Sequence, residues 1–134
     1  MNEINLLEFD IQKIVNLAEE KAILFNNKGI KSNQIRNFYS AIDQMRITFR
    51  QHADKSGEGS KGFDKIKHDF IMLKPKLAYA AGRKKEIKQH FYPFMKAAIE
   101  GVEEADADKK DLAMKSYFSL IESVVGYHKY YGDK

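Results

Sequence analysis

Apolar residues recur every three or four positions along nearly the whole chain. In the first segment Ile4, Leu7, Ile11, Ile14, Ala18, Ala22 and Phe25 form one stripe, widened by Leu6, Leu17 and Leu24. That spacing keeps side chains on one face of a helix. A first helix is therefore expected over about 3–26, ended by the NNKG turn at 26–29. Ser32 reads as the cap of a second helix, about 33–53, with Ile35, Phe38, Ile42, Met45 and Phe49 on its inner face. The stretch DKSGEGSKG, 54–62, is rich in glycine, serine and charge and reads as a mobile loop.

Phe63, Ile66, Phe70 and Leu73 mark a third, shorter helix. Pro75 lacks a backbone N–H and should end that helix or open a new turn. After Gly82 a further helix carries Ile87, Phe91, Met95 and Ala98 or Ile99, with a kink or restart expected near Tyr92 because of Pro93. EEADADKKD, 103–111, reads as an acidic turn with Asp108 as cap. The last helix, about 109–131, has two apolar stripes, Met114–Phe118–Ile121–Val125–His128 and Tyr117–Leu120–Val124–Tyr127–Tyr131. A helix apolar on two sides belongs at the centre of a bundle or against a partner. No segment alternates with a period of two. The expected fold is all-α, one domain over 1–134, a compact bundle of about five helices with a proline-marked corner near residue 75.

Composition narrows the function classes. The chain has 134 residues and no cysteine, which removes disulfides, thiolate nucleophiles and cysteine-ligated zinc. No apolar run approaches the ~20 residues of a membrane span, and the acidic start MNEINLLEFD does not resemble a signal peptide. A cytoplasmic location without membrane contact is expected. The net charge of +4 conceals segregation. Residues 61–96 carry ten lysines and arginines against three acids, whereas 1–26 carry two against five and 97–134 five against eight. A basic centre between acidic ends points to phosphate binding, to internal charge pairing or to an acidic protein partner.

Catalytic constellations are sparse. His52, His68, His90 and His128 are scattered, and no HExxH, ExxH, GxxxxGK[ST] or GxGxxG spacing occurs. No metal or cofactor is expected. In RITFRQH, 46–52, Arg46 precedes His52 by six residues, a pair that a small helical ribonuclease could use as phosphate clamp and acid/base. A helical protein-interaction adaptor with a basic face is the other alternative.

Three stretches carry a resemblance: KSNQIRNFYSAI at 31–42, LKPKLAYAAGR at 73–83 and IESVVGYHKYYG at 121–132. Together they resemble the small subunit of type III-A CRISPR effector ribonucleoproteins, the Csm complexes. The resemblance implies a non-catalytic, RNA-binding subunit of antiviral defence. Several copies would stack beside the crRNA-bearing backbone, in contact with other subunits and with the guide–target duplex, while other subunits cut RNA.

The residues suit that role. Lys31, Arg36, Arg46, Arg50, Lys74, Lys76, Arg83, Lys84 and Lys85 are the candidates for the phosphate backbone of crRNA and target RNA, a contact that carries no sequence information. Ala78, Tyr79, Ala81 and Gly82 offer a close contact surface to a neighbouring subunit, and Tyr127 and Tyr130 offer another. Tyr79 could instead stack on a base.

Overall fold

The computed structural model describes residues 4–132. Among them are five α-helices and no strand. They are α1 (Ile11–Asn27), α2 (Ser32–His52), α3 (Lys61–Arg83), α4 (Tyr92–Glu103) and α5 (Lys110–Gly132). A π-turn, Ile87–Phe91, leads into α4, and a 3₁₀ turn, Ala107–Lys109, leads into α5.

The all-α bundle is as expected, and so is the central helix. α5 packs against all four of the other helices. Tyr117, Leu120 and Val124 are buried on one side, Met114, Phe118 and Ile121 on the other. Its most extensive pairing is with α1, where Ala18 and Ala22 are fully buried. Edge-to-face ring pairs knit the core: Phe25 with Phe91 and Phe94, Phe49 with Phe118, and Phe70 with Tyr117.

Three local expectations are corrected. First, α1 begins at Ile11, where the Asp10 side chain accepts the Lys13 N–H at 2.8 Å. Ile4 and Leu6 are still buried, but from a non-helical segment laid across α4. The contact is close enough that a Cβ on Gly101 would lie 2.7 Å from the Ile4 carbonyl oxygen. Second, α2 is capped from Lys31, whose N–H donates to the Gln34 side chain at 2.8 Å; Ser32 is already helical.

Third, there is no corner at Pro75. α3 runs through it without a break from Lys61 to Arg83. The lost N–H leaves the Ile71 carbonyl without its helical donor, but Ile71 and Pro75 both face outward. Phe70, Leu73, Leu77 and Ala81 are buried on the opposite side and hold both halves on one axis. The turn falls instead at Lys84, whose backbone is extended. Pro93 does act as expected: the Tyr92 N–H donates to the Ile87 carbonyl, the wider π spacing, and α4 restarts with proline in its first turn.

The 54–62 segment makes backbone bonds to the start of α5. Gly59, at φ +85°, donates its N–H to the Asp108 carbonyl and accepts the Asp111 N–H on its own carbonyl. The Asp111 carboxylate in turn accepts the N–H groups of Gly62 and Phe63. Asp108 therefore serves through its backbone, and Asp111 is the capping side chain.

Candidate nucleic-acid interface

α2 and α3 run antiparallel on either side of the short 53–60 connection, and a groove follows their seam. On α3, Lys65, Asp69, Met72, Lys76, Tyr79 and Arg83 follow one another by three or four residues and share a face. On α2, Asn33, Asn37, Ala41, Gln44 and Thr48 do the same. The groove consists of two hollows: the smaller, about 290 Å³, brings Gln44 and Thr48 opposite Lys65 and Lys76. The larger, called the wide end below, about 410 Å³, brings Asn33 and Asn37 opposite Tyr79, Arg83 and Lys84. A cationic stripe with a single acid thus faces a stripe of uncharged amide and hydroxyl groups.

The wide end is organised. Gln34 accepts from the Lys31 N–H and donates to Glu86 Oε2 at 3.3 Å. The Glu86 carboxyl is held below its usual range, first by its own backbone N–H, then by Gln34 and by the nearby Lys84 and Lys31. Arg83 lies over the Tyr79 ring, 5.7 Å from its centroid.

The nine candidate cations do not share one face. Lys76, Arg83 and Lys84 line the seam groove. Arg36 and Lys85 are exposed, and Lys31 precedes α2. Arg46 and Arg50 lie on the other side of α2, in a cleft with Lys115, Ser119 and Glu122 of α5. Arg46 is engaged there by Asp43, at 2.6 Å from Nη2 and 3.0 Å from Nε. Lys74 reaches Glu103 on α4 at 2.7 Å. So part of the basic centre is paired with acids, as charge segregation allowed.

Arg46 and His52 are not brought together as a catalytic pair. Six residues of helix leave them about 120° apart around the axis, and the His52 ring bonds the Thr48 carbonyl through Nδ1 at 3.0 Å. Among the described residues no group of three or more histidines and acids is placed to hold a metal ion, and no helix is long and apolar enough to cross a membrane.

Of the contact candidates, Ala78, Tyr79 and Gly82 are exposed. Ala81 is corrected: at 7% exposure it packs into the core, because it falls on the Leu73–Leu77 side of α3. Tyr130 is 69% exposed, while Tyr127 is half-buried and stacks on Tyr131. His128 is buried, and its Nε2 bonds the Ile30 carbonyl at 2.8 Å, fastening α5 to the turn between α1 and α2.

A family model described as Csm2 Type III-A matches residues 8–134. The chain belongs to the Csm2 family. Searches of curated proteins and of solved structures give no match. Csm2 membership makes this chain a small subunit of the multi-subunit type III-A CRISPR effector complex. The matched range takes in all five helices and so the whole seam groove.

Asn33, Asn37, Gln44, Thr48 and Lys65 were missed by sequence reasoning. For the four α2 residues the signal was present in SNQIRNFYSAIDQMRIT as uncharged polar residues at helical spacing, and Lys65 lay in the basic centre. Nothing in their chemistry separates such residues from ordinary solvated positions until α3 is placed beside them.

Proposed function

We propose that this Csm2 chain is a non-catalytic RNA-binding subunit of the cytoplasm. Several copies stack along the crRNA and target RNA, whose phosphates they hold while other subunits act on the strand. The observation that carries this reading is the seam groove, with Lys65, Lys76, Arg83 and Lys84 along one wall. From Lys65 to Arg83 the α3 stripe is about 27 Å long at the helical rise. Long cations on one wall neutralise phosphates, and amides and hydroxyls on the other add hydrogen bonds to phosphate and sugar oxygens. Contacts to phosphate and sugar carry no sequence information, which suits a subunit that must accept any guide.

The test is a titration of the purified chain with single-stranded RNAs of unrelated sequence at about 50 and 500 mM salt. Affinity should be similar across sequences and fall steeply with salt, by about 0.7 log units per phosphate contact per log unit of salt. The RNA should remain intact in both wild type and His52→Ala. Equal affinity at the two salt concentrations, or cleavage lost in His52→Ala, would sink the proposal.

A further inference from the structure

We propose that the wide end of the seam groove is a stacking site for one unpaired RNA base. This rests on the RNA reading above and gives one place in the groove a specific occupant.

Tyr79 stands 69% exposed at the rim, one turn before the end of α3. The Arg83 guanidinium lies over its ring, 5.7 Å from the centroid, so a flat cation and a flat aromatic ring already pair as one platform. The floor is apolar, made by Phe38, Ala80 and Ile87. Phe38 is itself braced against Phe91, with ring centroids 5.6 Å apart. On the opposite wall Asn33 and Asn37 sit four residues apart on α2, both exposed, and neither side-chain amide makes a hydrogen bond among the described residues. Gln34 between them is already engaged at both ends of its amide.

That set matches a nucleobase with its phosphate. The ring and guanidinium accept a π face, and the apolar floor accepts the body of the base. The two free amides each offer a donor and an acceptor to its edge. Lys84 stands at the mouth for the adjoining phosphate. An apolar protein side chain would fill the floor but leave two amides and two cations desolvated without partners. A duplex would not fit this chemistry, because its base faces are already stacked. Every base has a π face, so the site adds affinity without fixing sequence.

The experiment uses the full chain and a single-stranded RNA oligonucleotide carrying 2-aminopurine, whose fluorescence falls on stacking. Wild type should quench it on binding. Tyr79→Ala should remove the quenching and weaken binding about tenfold, with the salt slope unchanged, since no ion is released by stacking. Tyr79→Phe should keep both quenching and affinity. Equal quenching by Tyr79→Ala would overturn the proposal while leaving the phosphate reading intact. Fully paired RNA binding as tightly as single strands would overturn it, and so would displacement of the oligonucleotide by micromolar free AMP. Unchanged RNA binding in Tyr79→Ala, with loss of the variant from the assembled effector complex, would give the site to a protein partner instead. If wild type binds no RNA even at low salt, the RNA reading falls and this site falls with it.

Discussion

The carboxylate of Asp111 accepts the backbone N–H of Phe63 at 2.8 Å, joining the start of α5 to the start of α3 across 48 residues of chain. Its second oxygen accepts the Gly62 N–H at 3.0 Å, and the side chain is fully buried. An anion at a helix N-terminus satisfies donors that the helix cannot and interacts favourably with its dipole. Next to it, Lys110 donates to the carbonyls of Val102 and Glu103, closing the C-terminus of α4. One dipeptide therefore ends one helix and starts another.

Asp111→Ala should cost about 2–4 kcal/mol, from the lost cap and two buried N–H groups without acceptors. Asp111→Asn should not rescue it, because one of its two positions would present a donor to a donor. Urea denaturation of the three proteins checks this. An Asn variant as stable as wild type would show that the bidentate geometry is unimportant.

Much of the fold was legible because helical periodicity is a local signal, and α2 and α5 begin and end within a residue or so of expectation. At the start of the chain a long-range contact overrode the local rule. Ile4 and Leu6 continue the helical spacing of α1 but reach the core from a non-helical segment. The 54–62 segment is polar by composition, and Asp108 and Asp111, some fifty residues on, bond to it. The candidate site was half legible. A stripe of cations can be read from one helix, but which of them find acids depends on neighbours, as Lys74 with Glu103 shows; which small residues stay exposed depends on them too, as Ala81 in the core shows.

Pro75 lies exposed inside α3, so its cost to the helix is not repaid by a corner. Pro75→Ala should stabilise the isolated chain by about 2 kcal/mol, the helix-interior penalty less the unfolded-state entropy that proline removes. Thermal melting measures it. A lower melting temperature would mean that the proline makes a contribution to α3 beyond its own backbone constraint.

Tyr117 is fully buried between Phe70 and Phe118, and its hydroxyl has no hydrogen-bond partner. Burial raises its pKa far above the ordinary tyrosine value. Tyr131, which donates to Glu19 Oε2 at 2.6 Å, is raised chiefly by that bond, and Tyr39 chiefly by desolvation. Folded values above unfolded ones mean that the stability linked to these groups is complete below pH ~10 and is lost as pH rises through the folded values. For Tyr117 the slope approaches about 1.4 kcal/mol per pH unit. Tyr117→Phe should raise stability at neutral pH by about 1 kcal/mol, by removing an unsatisfied polar atom, and should flatten the alkaline loss. Unchanged alkaline unfolding in this variant would place the transition on other groups.

The seam groove makes a claim about position that net charge alone does not. Lys76→Ala with Arg83→Ala removes two cations that line it. Lys109→Ala with Lys115→Ala removes two from the α5 end of the chain, so both variants change net charge equally. Lys110 is left out of the second pair because it closes α4, and its loss would confuse binding with folding. The groove variant should weaken RNA binding and lower the salt slope by up to about 1.4 units, two contacts at about 0.7 each. The α5 variant should change little. Both should fold, since exposed lysine and arginine substitutions usually shift stability by within about half a kcal/mol. Equal losses in the two variants would make binding a diffuse attraction to a basic molecule. A loss confined to Arg46→Ala with Arg50→Ala would move the RNA to the cleft between α2 and α5. That outcome would require the strand to displace Asp43 from Arg46 and to run past Glu122, so it should be the costlier path.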